Sequence, residues 1–435
     1  MEQAREVSRF VAESRFRDFP DAVLAAGKRG FLDCLGCAVR GYQTRAVGIV
    51  QNLLEEVVGP SPASLLGADG KRVSVHGAIL VNATAAHALD FDDTLTAPAA
   101  MAALALAEAG KLSGRDLLAA YTLGCEVAAR FAEGLSGWDN EQGWHMMGVA
   151  GGFGAATAAG YLLRLNAEQI SHALGIAATQ AAGLVAMHGF LAKPFHSGRA
   201  AESGYYAAKL ALNGCTAGPA LEGPRSVFRA MGAAESPPLA KDLGRSWAIF
   251  NNRLKPFPCG RLGHAAMEAA LKARALKEFR LQEISSVRVR VNPRAQYLMG
   301  EPEPESGTEA MFSIGHGAAA ALVHGRVGPE HFTDEAVKDP VIAEWRRRTI
   351  VVPDDRMKAG QAVVEIGTKS GDQLVAEVPV QKGYAENPLT DADVREKFLD
   401  LAQTVIELEK ARKAADLVAS LERVADAGEI AQLCN

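Results

Sequence analysis

Two stretches of this sequence carry no charged side chain for about the length of a membrane span, Gln142 to Leu163 and Ile170 to Ala192. A chain must bury such runs, either in lipid or in its own core. Both are rich in Gly and Ala, and each carries His, Gln or Asn, which hydrocarbon tolerates poorly. They read as buried helices of an all-helical core. Gly148, Gly151, Gly152, Gly154 and Ala155 recur at close spacing in the first run, which lets neighbouring helices approach closely.

The rest of the chain fits around that core. At 435 residues, with 48% hydrophobic and 22% charged side chains, it is long enough for two domains or one large one. Residues 1 to about 265 are alanine-dominated with short β-branched runs, a pattern for helix after helix. The pattern changes near 282, where Ser285 to Val291 alternates apolar and charged residues like a half-buried strand. A helical stretch at Ala310 to Val323 follows, then strand candidates at Thr349 to Val352, Ala362 to Thr368 and Leu374 to Pro379. Gly371-Asp372 suits a hairpin turn between the last two. Asp391 to Leu433 is charged and periodic, as in helices. The expected fold is mainly α: a large all-helical domain over 1–265, then a small α+β domain over 266–392. Helices in 393–435 are expected to pack back onto the first.

Several function classes find no support. The net charge of -5 gives no global attraction to nucleic acid or anionic membrane. The N-terminus, MEQAREVSRF, has no apolar core of signal-peptide length. The six cysteines are scattered, as reduced thiols of a cytoplasmic protein would be. Cys34 and Cys37 form a CxxC whose flanks read as an apolar helix rather than a redox turn. The glycines at 152 and 154 lack the third glycine and preceding strand of a dinucleotide fingerprint, and no Walker-type loop occurs. Neither a Gly-x-Ser-x-Gly elbow nor a HExxH occurs. No metal or cofactor is expected.

Polar islands in apolar surroundings are where chemistry is expected. Asp90-Phe91-Asp92-Asp93-Thr94 packs three carboxylates into four residues. They must be solvated, paired with cations or partly protonated. A loop capping the next helix through Asp93 or Thr94 is one reading, and a metal site the other. His145 follows Gly143-Trp144 at the head of the first uncharged run. Lys193, His196 and Arg199 follow the second within seven residues, as a surface loop or a carboxylate-binding floor would. Lys255 and His264 flank a rigid Pro256–Pro258 segment, which suits positioned side chains.

Taken together, these segments resemble the MmgE/PrpD family. The resemblance runs through HALDFDDT (87–94), GWHMMGVAGGFGAATAAGYLLRL (143–165) and ALGIAATQAAGL (173–184). It continues through KPFHSGRAAESG (193–204), LEGPRSVF (221–228), KPFPCGRLGHAAMEA (255–269) and EAMFSIGHGAA (309–319). It implies a large helical domain with a smaller α+β domain, a homodimer, no iron–sulfur cluster, and a small polycarboxylate as substrate. Members include 2-methylcitrate dehydratase, cis-aconitate decarboxylase and iminodisuccinate epimerase. In all three, negative charge develops beside a carboxylate, so the enzyme must clamp carboxylates and place an acid or base at the α-carbon. By motif position the resemblance assigns Asp90, Thr94, His145 and Lys193 to catalysis. Lys255, and by a looser match Tyr297, join His196, Arg199 and His264 as substrate-binding candidates. Proton transfer falls to His145 or Lys193, the carboxylates to Lys255, and orientation of a cation or relay of a proton to Asp90.

Two departures stand out. Relatives continue after DFDDT through a loop holding a His-Pro pair, whereas here Thr94-Leu95-Thr96-Ala97-Pro98 runs straight into Ala99. Met311 stands where relatives commonly have a basic residue. A lyase on a small (hydroxy) polycarboxylic acid is the leading expectation. An epimerase of a dicarboxylate needs no leaving-group acid and is the second, and a non-catalytic carboxylate binder the third.

Overall fold

The computed structural model describes every residue except 1, 57–58, 94, 136–142 and 234. Among these residues are nineteen α-helices, a two-stranded sheet and a four-stranded one. The fold is mainly α with a smaller α+β part. Apolar side chains gather in two main cores. One draws on residues from Val7 to Ile249 and again from Leu389 to Cys434. The other runs from Phe257 to Val378. The helices Asp391–Ala402, Leu408–Ala419 and Gly428–Leu433 thus belong to the first core, at the far end of the chain from the rest of it.

The helix Met146–Leu162 lies at the centre of the first core, with every residue from Met147 to Leu162 buried. It packs against the helices Ala97–Gly110, Gly114–Gly134, Ala167–Ala178 and Ala192–Leu212. Its glycines set the spacing. A Cβ on Gly148 would lie 2.2 Å from the backbone oxygen of Ala182, and one on Gly204 2.4 Å from that of Gly152. Among the described residues no helix is long and apolar enough to cross a membrane.

The second uncharged run is not one helix. The helix Ala167–Ala178 ends there, and the chain then crosses the head of the Met146–Leu162 helix in extended form. The His145 amide donates to the Gly183 carbonyl at 3.1 Å, and the Val185 amide to that of Gly143 at 2.8 Å. Gly183 and Gly189 take φ of +131° and +84°, which glycine adopts readily and other residues rarely do. This crossing brings Val185 and His188 to the cleft described below.

The four-stranded sheet has the order Thr349–Pro353, Ile284–Val291, Ala362–Thr368, Gln373–Val378. The first pair is parallel and the others antiparallel. Val287, Val289 and Val291 point into the core while Arg288 is exposed, the period-two alternation of a sheet with one covered face. The helices His264–Arg274 and Ile314–His324 pack against it. The stretch from Ala310 to Val323 is broken rather than continuous. Ser313 starts a new helix by accepting from the His316 amide at 3.2 Å, and Gly260 donates its amide to the Met311 carbonyl at 2.9 Å. The break places Phe312 on the cleft wall.

Candidate active site

A cleft of about 650 Å³ opens between the two cores, a size usual for small-molecule sites. His87, Asp90, His145 and Lys193 line it from the first core's side, and Gly260, Met299 and Phe312 from the second's. Lys255, on the segment joining the two, lines it as well.

The three carboxylates of the acidic cluster meet three different fates. Asp90 follows the helix Val75–Ala88 in a left-handed conformation, φ +49°, which Asp tolerates better than most residues. Its carboxylate is salt-bridged to the ammonium of Lys193. Lys255 Nζ lies 2.9 Å from Asp90 Oδ1 and 2.8 Å from its backbone oxygen. All three residues are buried. Burial alone would raise the Asp90 carboxyl, but Lys193, Lys255 and His87 outweigh it and hold it well below the usual range. Asp92 takes its partner from the preceding helix, with both oxygens at 2.8 and 3.0 Å from His87 Nδ1. Burial raises the Asp92 carboxyl to about 7, against the pull of Lys255 and Lys193. Asp93 accepts from the amides of Leu95 at 2.8 Å and Thr96 at 2.7 Å, and from Asn252 Nδ2 at 2.6 Å. It caps the turn into the helix Ala97–Gly110, with Thr96 at the N-cap position. Thr94 lies outside the described residues.

His87, Asp90 and Asp92 offer ligand atoms within 4.8 Å of one another. As a metal centre the group is a poor fit. Asp90 already holds two ammonium groups, and a divalent cation beside it would face both at short range. A buried lysine that sequence reasoning missed holds this loop. Lys397 Nζ reaches Asp33 Oδ1 at 2.6 Å, the Phe91 carbonyl at 2.6 Å and the Lys255 carbonyl at 3.0 Å. Nothing in the sequence separates it from the surface lysines of a charged helix.

The imidazoles gather beside this cluster. His145 precedes the Met146–Leu162 helix, and its Nδ1 is 2.9 Å from Nδ1 of His196. Its ring centroid is 5.5 Å from that of His87 and 5.3 Å from that of His188. His188 stacks on Phe312 at 4.7 Å. Burial, with help from His87 and Lys193, holds His145 well below the ordinary imidazole range. Burial and Lys193 bring His188 down to about 4. Both rings are neutral at pH 7 and can accept a proton. Burial also lowers the Lys193 ammonium, Asp90 opposing it.

The structure brings Asp90, His145, Lys193 and Lys255 together, with His196 one ring behind His145. It does not bring Arg199, His264 or Tyr297 to the cleft. The segment from Lys193 to Arg199 opens a helix, Ala192–Leu212, instead of forming a loop. Lys193 and His196, three apart, share its inner face. Arg199 is six residues on, about 240° round the axis, and pairs with Glu202 on the outside. His264 is enclosed behind the lining, with Nε2 3.2 Å from the Cys259 carbonyl. Tyr297 is 84% exposed. Instead, Arg253, Arg261 and Arg294 line the cleft, and guanidinium groups suit carboxylates. The cleft is therefore not short of cations, as Met311 had suggested. His188, one of the histidines that could stand in for the missing loop histidine, does line the cleft, whereas His87 was missed as a site residue. His87 sits inside the quoted motif, but its pairing with Asp92 depends on the turn at Asp90.

Comparison with known proteins bears on the whole chain. The MmgE/PrpD N-terminal domain matches residues 5–240, and the MmgE/PrpD C-terminal domain matches residues 257–423. Human cis-aconitate decarboxylase is 27% identical over 95% of this chain and 90% of its own. The cis-aconitate decarboxylase of Aspergillus terreus is 27% identical over 99% of this chain and 95% of its own. The cis-aconitate decarboxylase-like protein oryM of Aspergillus oryzae is 26% identical, covering 98% and 96%. With both of its domains matched in order across most of the sequence, the chain belongs to the MmgE/PrpD family.

Proposed function

We propose that this protein is a lyase acting on a small (hydroxy) polycarboxylic acid by proton transfer alpha to a carboxylate, without a metal. The observation that carries the reading is the charge balance of the cleft floor. One carboxylate, Asp90, faces two ammonium groups, so the floor carries net positive charge and is completed by an anion. A substrate carboxylate there leaves its α-carbon near neutral His145, which can take the proton, and near the Lys193 ammonium, which can return one. The arginines of the rim hold a second carboxylate. The negative charge that develops next to the first carboxylate is stabilised by cations already in place. The matched decarboxylases, which act on an acid of this class, support the reading at the level of reaction type.

An epimerase on the same scaffold is the second reading. The short segment between Asp93 and Ala97 favours it, because the loop histidine that relatives carry is missing. A cytoplasmic homodimer is part of the proposal, and light scattering on purified protein tests the dimer. The test of function is a screen of C4 to C7 di- and tricarboxylic acids for binding and conversion, with the products identified. Loss of water or CO2 supports the lyase. Inversion alone supports the epimerase. Binding with no conversion of any acid would leave only a carboxylate binder.

A further inference from the structure

We infer that His87, oriented by Asp92, is a second proton-transfer residue of this cleft, and that its Nε2 takes the hydroxyl of a hydroxy acid. The inference rests on the reading of the cleft as a lyase site. Three observations carry it. Both Asp92 oxygens engage Nδ1 of His87, at 2.8 and 3.0 Å. The opposite ring nitrogen, Nε2, is buried and has no hydrogen-bond partner among the described residues. His87 lines the cleft and stacks on His145. An enclosed imidazole nitrogen without a partner is costly, and a substrate hydroxyl at the cleft floor satisfies it as acceptor or as donor.

The Asp92–His87 pair can present either role. With Asp92 ionised, Nδ1–H donates to it and Nε2 is an acceptor. With Asp92 protonated, its O–H donates to Nδ1 and Nε2–H is a donor. Burial places the Asp92 carboxyl at about 7, so both forms are populated near neutrality. Asp90, Lys193, Lys255 and His196 act on the ring, with His145 stacked against it. Asp93 acts on the carboxylate from the same loop, and Lys397, Asp33, Cys34 and Cys37 act on it from other elements. In an elimination, the C–H bond beside the carboxylate breaks to the base, neutral His145, and its electron pair becomes the second bond of the alkene. The C–O bond breaks with its pair on oxygen, which takes the proton from Nε2 and leaves as water. Nδ1 takes the Asp92 proton in the same step. The pair thus supplies the acid that the missing loop histidine leaves wanting.

The test uses ligand pairs that differ by the hydroxyl alone, citrate against tricarballylate and malate against succinate, bound to the full chain by calorimetry. The wild type should bind at least one hydroxy acid about tenfold tighter than its partner, the discrimination expected of one net hydrogen bond. His87→Leu should erase that preference and leave tricarballylate or succinate affinity within about threefold, which also reports an intact fold. Nitrogen NMR of labelled histidines reads the dyad directly. The His87 nitrogens should exchange donor and acceptor character near pH 7, and Asp92→Asn should abolish the change. A hydroxyl preference that survives His87→Leu, acids bound with no hydroxyl preference, or a His87 signal indifferent to Asp92→Asn would each overturn the inference alone. Failure of all four acids to bind the wild type would overturn the lyase reading along with it.

Discussion

Asp90 is the residue on which the site closes, since one buried carboxylate joins lysines from two distant parts of the chain. Asp90→Asn keeps the shape and leaves two buried ammonium groups without a counter-ion. Breaking a buried pair in this way costs about 3–5 kcal/mol, so urea unfolding should show a loss of that size and activity should fall with it. Asp92 gives a test in pH. Its folded pKa, about 7, lies above its ordinary value. Its contribution to stability is therefore fully present below the ordinary carboxyl pKa, falls as the unfolded chain ionises, and is lost once pH has risen through about 7. Asp92→Asn should flatten the fall in melting temperature between about pH 4 and 7, and an unchanged slope would show that Asp92 is not the group responsible. At this scale the sequence was legible where polarity is out of place. Asp90, His145, Lys193 and Lys255 stand out as islands. Lys397 and the cleft arginines do not, because their burial or placement follows from packing across the two cores.

Elements position these side chains through close contact between helices. Gly148→Val would drive a Cβ against the Ala182 carbonyl, which now lies 2.2 Å from where it would stand. Overpacking of this kind costs about 1–3 kcal/mol. It should also displace the crossing segment that carries His188, lowering melting temperature and activity together. Gly48→Ala, on an exposed helical turn with nothing within 4 Å of the new carbon, should instead stabilise by about 0.5–1 kcal/mol. The strands were readable because Val287, Val289 and Val291 alternate with polar residues. The break in the second uncharged run was not. Gly183 and Gly189 sit among residues that favour helix, and the contact of Gly183 with the head of the Met146–Leu162 helix decides that the chain crosses there. The helix beginning at Ala192 was hidden for the same reason, since its first turn carries the cation Lys193 at the end where a cation is least favoured. Asp90 offsets that cost.

At the scale of the whole molecule, the cleft exists because the segment from Asn252 to Lys255 joins two cores that share its walls. Its chemistry requires no divalent ion on this account, so dialysis against EDTA should leave turnover within about twofold. A loss restored by a divalent ion would place a metal at His87, Asp90 and Asp92 after all. The central claim is that the cleft moves a proton on and off the carbon next to a bound carboxylate. The most direct measurement is exchange of that proton in D2O, followed by NMR over the C4 to C7 acids, with EDTA-treated wild type and with His145→Gln. The account predicts deuterium at the α-carbon, or in the product, of at least one acid, and a fall of about 10²–10⁴-fold in His145→Gln. No exchange with any acid, or exchange unchanged in His145→Gln and equally unchanged in Lys193→Met, would contradict it.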